Sequence, residues 1–219
     1  MYKRQSLSGA DASAFSINSS TGVITFNSAP DYEIKTSYSV TVTASDGTNS
    51  TTQDITITIT DIDDTAPVFT SSASFSAAEN QTSIGTVTAT DVDTDNASIT
   101  FSISGSELAI TSGGVLTFAS TPDYETKSSY SATVTATDGT NSSTQDITVT
   151  VTNVNDNSPV FTSGAAFSVA ENQTSVGTVL ANDADGDSLT YSLSGADASA
   201  FSINSSTGVI TFNSAPDYE

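Results

Sequence analysis

Residues 6–33 recur without a single change as residues 192–219, at an offset of 186. A looser repetition halves that distance. Asp61-Ile62-Asp63-Asp64-Thr65-Ala66-Pro67-Val68-Phe69 stands 92 residues before Asn153-Val154-Asn155-Asp156-Asn157-Ser158-Pro159-Val160-Phe161. A fixed period of this kind reads as an array of like units, and a unit of about 92 residues has the size of an immunoglobulin-like sandwich. The period divides the chain into the C-terminal part of one unit (6–65), one complete unit (66–157) and the N-terminal part of a third (158–219). Residues 1–5 fall outside it, carry two of the four bases and are read as a leader foreign to the repeat.

Within the complete unit the pattern predicts seven short strands and no helix. The runs are Phe75–Ala78, Ser83–Thr90, Ile99–Ile103, Leu108–Ile110, Val115–Phe118, Tyr130–Thr137 and Ile147–Thr152. Tyr130, Ala132, Val134 and Ala136 alternate with Ser or Thr, as do Ile147, Val149 and Val151 with Thr, giving each strand one buried and one wet face. Gly113-Gly114 between two apolar runs marks a hairpin, and Asp138-Gly139-Thr140-Asn141 a turn. Seven such strands predict an all-β fold, a row of antiparallel Greek-key sandwiches.

Acids outnumber bases 25 to 4, for a formal charge of −21. That excludes the basic footprint of a nucleic-acid binder and disfavours contact with anionic lipid. No apolar run is long enough to span a membrane. With neither Cys nor His, the chain has no disulfide staple and no thiolate or imidazole ligand for zinc. The acids are clustered rather than spread, and clustering points to a bound cation more than to solubility alone.

Antiparallel strands divide the clusters between the two ends of the complete unit. Glu79, Asp123 and Glu125 fall at the end that meets 153–157. Asp91, Asp93, Asn96 and Asp138 fall at the end that meets 61–64. Each joint therefore collects acids from two neighbouring units. Two carboxylates 4 Å apart repel by roughly 4 kcal/mol at an effective dielectric near 20. A hard cation relieves this, and Ca²⁺, with six to eight oxygen ligands, suits such a set better than the small octahedral Mg²⁺.

The joints resemble the D-x-N-D-N linker of cadherin repeats, followed by x-P-x-F. Glu79-Asn80 resembles the family's P-E-N motif with Ala78 in place of proline, and Asp123-Tyr124-Glu125 its D-R-E with Tyr in the middle. Asp91-Val92-Asp93 and Asp183-Ala184-Asp185 are similar to D-x-D, and Thr135-Ala136-Thr137-Asp138 to x-A-x-D. The resemblance runs from Ser6 onward and implies calcium at each joint. Carried over, the first joint would use Asp31, Glu33, Asp61, Asp63, Asp64, Asp91, Asp93 and Asp138, with Thr65 and Asn96 through their backbones. The second would use Glu79, Asp123, Glu125, Asn155, Asp156, Asp183 and Asp185, with the Asn157 backbone. Asn153 stands where the linker's first acid would be.

The resemblance further implies a fragment of a bacterial extracellular surface protein. Its parent would be membrane- or wall-anchored or secreted, and would act in calcium-dependent adhesion, with like repeats on another molecule or a surface ligand as partner. The chain lacks the N-terminal Trp by which vertebrate classical cadherins dock, so a passive stalk is the alternative. A carbohydrate-binding module would need outward aromatics, whereas the Phe and Tyr positions mostly alternate inward. The Asp123/Glu125 pair could serve glycoside hydrolysis. It recurs at Asp31/Glu33 and Asp217/Glu219, however, and a catalytic centre repeated in each small sandwich is not expected; the chain is read as no enzyme. Asp183-Ala184-Asp185-Gly186-Asp187 is not an EF-hand loop, because its Gly stands at the fourth position rather than the sixth.

Overall fold

The computed structural model describes residues 4–93 and 98–219. Among the described residues of the complete unit there are nine strand segments: β6 (Val68–Phe69), β7 (Ser74–Ala78), β8 (Ser83–Thr86), β9 (Ala89–Thr90), β10 (Thr100–Ile103), β11 (Leu108–Ile110), β12 (Val115–Phe118), β13 (Ser129–Thr137) and β14 (Ser142–Thr152). One sheet runs in the order β10-β13-β14-β7, the facing one β11-β12-β8, and β6 pairs with β9. The inner faces meet in one core of Ala77, Val87, Leu108, Leu116, Phe118, Val134, Ile147, Val149 and Val151. Period-two patterning does this work. Along β14 every second residue from Ile147 is buried and the intervening Thr are exposed.

Two features depart from the sequence reading. The run 83–90 is not one strand. The chain leaves the β8 ladder at Val87, whose N–H donates to Gly114 O (2.8 Å), and Thr88 turns to Ser71 Oγ (3.1 Å) and Thr70. β9 then joins β6. The unit is also not wholly antiparallel: β7 lies parallel to β14, from Thr148↔Ser74 to Thr152↔Ala78. That pairing carries the end of β7 to the end of β14, where Glu79 N donates to Thr152 O (3.2 Å).

The first unit contributes β1 (Arg4–Ser8), β2 (Phe15–Ile17), β3 (Ile24–Phe26), β4 (Ser37–Ser45) and β5 (Ser50–Thr58). β1 takes in Arg4 and Gln5, which the sequence reading sets aside with the leader. The third contributes β15 (Val160–Phe161), β16 (Ser175–Thr178), β17 (Ala181–Asn182), β18 (Phe201–Ile203) and β19 (Val209–Phe212). The duplicated segment shows how far pairing decides strand formation. Ser6-Leu7-Ser8 is strand because it pairs with Thr43, Val42 and Thr41 of β4. The identical Ser192-Leu193-Ser194 has no such partner in the described chain and is not strand. An extended segment needs a neighbour for its backbone groups.

Candidate functional site

The four close carboxylate groups among the described residues all lie at the two joints. At the second, Glu79 directly follows β7, and Asn80 takes a left-handed backbone (φ 63°), a conformation Asn tolerates better than most residues. This turn aims Glu79 inward, where it is only 3% exposed. Its Oε2 accepts from Tyr124 N and its Oε1 from Val154 N, both at 2.7 Å. One carboxylate thus ties the Asp123-Tyr124-Glu125 loop to the linker. The third unit repeats half of the arrangement, with Tyr218 N donating to Glu171 Oε2 at 3.0 Å.

From the other side comes the 183–187 loop. Asp185 N donates to Asp183 Oδ1 (3.1 Å), an Asx turn. Asp185 Oδ2 accepts from the linker's Asp156 N (3.1 Å) and Asn157 N (2.8 Å). Carboxylate oxygens of Glu79, Glu125, Asp156 and Asp185 come within 4.8 Å of one another, and so do those of Asp183, Asp185 and Asp187. Desolvation raises the Glu125 carboxyl above its ordinary value, helped by the charges of Glu79 and Asp185.

The first joint is built the same way. Asp93 N donates to Asp91 Oδ1 (2.9 Å), and Asp93 Oδ2 accepts from Asp64 N (3.2 Å) and Thr65 N (2.7 Å). Glu33, Asp61 and Asp93 form one close group and Asp63, Asp91 and Asp93 another. Asp138 Oδ1 holds its turn through Thr140 N (2.7 Å) and Asn141 N (2.6 Å). Asn141 Nδ2 then donates to Asp63 O and Oδ1, both at 3.1 Å. Two oxygens there, Asp93 Oδ1 and Asp138 Oδ2, are buried and accept no hydrogen bond. Buried carboxylate oxygens without a donor are costly, and a cation is the natural partner for them.

Asp31 and Asp123, two of the residues expected at the joints, head tight turns. Asp31 Oδ1 accepts from Ile34 N (3.1 Å), and Asp123 from Thr126 N (3.0 Å) and Thr126 Oγ1 (3.1 Å). Neither belongs to a close carboxylate group. Asn155 Nδ2 faces Asp187. Asn96 lies outside the described residues. Asp187 was not among the expected ligands, although the D-x-D-x-D spacing of 183–187 signals it.

Glu33 shows what the crowding costs. Its own backbone N–H pulls its carboxyl down, but desolvation, a shared contact with Asp93 and the charges of Asp93 and Asp61 outweigh this and push it up to about 7. Asp93 is lowered: desolvation works against it, and the Thr65 N–H leads the bonds that overcome it. The proton of the pair therefore sits on Glu33. A folded-state pKa above the ordinary 4.5 means stability that is full below about pH 4.5 and lost as pH rises through about 7. Metal-free protein is expected to melt lower at pH 8 than at pH 5.5. Calcium should remove the difference, because it takes over the ionised oxygens. Thermal melts at the two pH values, with chelator and with calcium, check this.

The fold is matched among solved structures. Mouse Cadherin-23 EC22-24 is 31% identical, with a TM-score of 0.78, and the match covers 100% of this chain and 78% of that one. The chain belongs to the cadherin family. Residues 72–152 also match the Cadherin domain profile and residues 155–219 a Bacterial Ig domain profile. The Protocadherin gammaB7 EC3-6 cis-dimer structure is 28% identical, with a TM-score of 0.80 over 99% of this chain and 61% of that one. Among curated relatives, mouse Protocadherin Fat 4 is 30% identical over 97% of this chain and human Protocadherin-15 is 30% identical over 94%. This chain spans 5% and 11% of their respective lengths. It is thus a stretch of tandem cadherin repeats, a β-sandwich module of a non-enzymatic adhesion family.

Proposed function

We propose that this chain is a calcium-clamped segment of an extracellular surface protein. The observation that carries the reading is the first joint, where Asp93 Oδ1 and Asp138 Oδ2, from two strand ends, are buried without a donor beside linker acids from the boundary with the preceding unit. Glu33, Asp61, Asp63, Asp91, Asp93 and Asp138 would hold calcium there, and Glu79, Glu125, Asp156, Asp183, Asp185 and Asp187 at the second joint. The ion supplies charge neutralisation. The residues supply a tie between units, because at each joint one close group draws oxygens from the linker and from the sandwiches on either side: Glu33, Asp61 and Asp93 at the first, Glu79, Glu125, Asp156 and Asp185 at the second. Repeats 6–65, 66–157 and 158–219 would then behave as one stiff rod. Extracellular modules of this kind bind calcium at about 10⁻⁴–10⁻³ M, near its concentration outside cells.

The matched relatives support calcium-dependent adhesion, with like repeats on a second molecule as partner. The Bacterial Ig match over 155–219 supports a bacterial surface protein. A passive stalk is the second reading, favoured by the unchanged recurrence of 6–33 at 192–219: a spacer needs copies, whereas a binding face needs differences. Sugar binding has less behind it. In the complete repeat Phe118 is buried, and Phe69, Phe75, Phe101 and Tyr130 pack against the core.

Saturating calcium is expected to raise the melting temperature by about 10 °C over chelator, the linkage effect of several weak ions bound to the native state alone. Small-angle scattering should show the maximum dimension lengthen. Identical melts and identical scattering in both conditions would sink the clamp. Calcium-dependent clustering of coated beads would separate adhesion from the stalk.

A further inference from the structure

The two linkers differ at several positions, and one of these differences, Thr65 against Asn157, falls on one particular oxygen. In both, the D-x-D aspartate offers Oδ2 to two linker N–H groups: Asp93 to Asp64 and Thr65, Asp185 to Asp156 and Asn157. The other oxygen has opposite fates. Asp185 Oδ1 accepts from Asn157 Nδ2 at 3.1 Å. Asp93 Oδ1 is buried and has no donor. The matching linker residue there is Thr65, whose short hydroxyl reaches Asp64 Oδ1 (3.4 Å) and favours the ionised Asp93 carboxyl, but gives Asp93 Oδ1 no hydrogen bond.

Asn157 does more than satisfy one atom. Its half-buried Nδ2 also stands 2.8 Å from Asp156 Oδ1 and 3.3 Å from Glu125 Oε2. Three carboxylates thus converge on one amide, so the end facing them is the NH₂ group, with two hydrogens to share among three acceptors. Glu125, Asp156 and Asp185 are three of the four residues in the close group at this joint. The amide occupies the place where a cation would neutralise the cluster, and it presents positive hydrogens to the oxygens a cation would need.

We propose that the Asn157 side chain is a resident stand-in for the cation at the second joint, and that Asn157 and Thr65 set different calcium requirements for the two joints. Without calcium the second joint keeps its geometry through the amide, whereas the first has no such amide at position 65 and leaves Asp93 Oδ1 and Asp138 Oδ2 without a donor. With calcium, the Asn157 amide must first swing away from three carboxylates of the second joint, whereas at the first the only amide on a ligand named above is that of Asn141, which touches Asp63 alone. The first joint therefore fills at lower calcium and gains more from it. This rests on the calcium reading above, and its test has one arm that needs no calcium.

In the full chain, Asn157→Thr is expected to lower the melting temperature in chelator by about 5 °C, the loss of roughly one charge-assisted hydrogen bond. It should also lower the calcium midpoint of the second joint about tenfold, with that bond no longer to be broken. Thr65→Asn should do the reverse at the first joint, with a higher chelator melt and a weaker midpoint. Because its expected effect on folding is favourable, it guards against a variant that simply fails to fold. Amide NMR signals of residues 65 and 157 read the two midpoints separately. A chelator melt unmoved by Asn157→Thr, or a calcium midpoint that weakens with it, would overturn the proposal. If the unaltered chain takes up no calcium, the clamp reading fails, and the chelator melts of the two variants alone decide whether the amide holds the joint.

Discussion

Gly114→Ala is expected to cost the complete repeat about 3 kcal/mol or more, and to lower its melting temperature by more than 10 °C. Gly114 closes the turn between β11 and β12 with φ 87°, a conformation L side chains rarely adopt. A Cβ built on it would lie 2.2 Å from Val87 O and 3.3 Å from the Phe101 ring. Neither neighbour can yield cheaply. Val87 is 1% exposed, its N–H is already committed to Gly114 O, and it marks the point where the chain passes from the β8 ladder to β9. The glycine thus serves the fold twice, as a turn and as the floor on which the β8–β9 corner rests. Its counterpart Gly208 repeats both features, with φ 69° and Val179 O at 2.2 Å, so Gly208→Ala should be similarly severe. Gly22 makes the control. Its Cβ would meet the far end of the Gln5 side chain, which can move aside, so alanine there should cost only the backbone strain, about 1–2 kcal/mol. Chemical denaturation of the three variants ranks them; a Gly114→Ala protein no weaker than Gly22→Ala would contradict the account.

This glycine pair also marks where the sequence is legible. Gly113-Gly114 between apolar runs identifies a hairpin, but only the approach of Val87 O explains why the second glycine is indispensable. The long strands β13 and β14 could be read because one face of each is buried and the pattern records it. β14 nevertheless begins at Ser142, five residues before its apolar alternation, because Ser142–Asp146 is held by backbone pairing to β13 and needs no core contact. The break at Val87 leaves no local trace, since the alternation with Thr over 85–90 runs straight across it; the switch is made by distant partners, Gly114 and Ser71. The parallel β7–β14 ladder is invisible for the same reason. At the joints, the linker order locates the acids at the correct ends. It does not distinguish carboxylates that converge from those that head a turn. Asp123 and Glu125 are two residues apart, yet only Glu125 joins the close group, because Asp123 is spent on Thr126.

Glu79→Ala is expected to destabilise the repeat by about 3 kcal/mol even without calcium, and to abolish the calcium-induced rise at the second joint. The first effect follows from geometry. The Glu79 carboxylate is the acceptor for both Tyr124 N and Val154 N, and removing it leaves two backbone donors in a site 3% exposed, at about 1–3 kcal/mol each. The second follows from charge: Glu79 is one of four carboxylates in the close group. Glu79→Gln separates the two. Glutamine keeps the size and one acceptor oxygen, so it should recover about half of the metal-free loss. It also removes a negative charge that holds the neighbouring Glu125 carboxyl high, so metal-free repulsion eases. The same missing charge deprives the cation of a ligand, and the calcium increment at the second joint should be lost as fully as in Glu79→Ala. A Glu79→Gln chain that folds well without calcium and ignores it would show that the residue acts in two separable ways, as a backbone tie within the repeat and as a charge at the joint. If Glu79→Gln kept the full calcium increment, Glu79 would be a structural tie alone, and the joint would have to draw its charge from Glu125, Asp156 and the 183–187 loop.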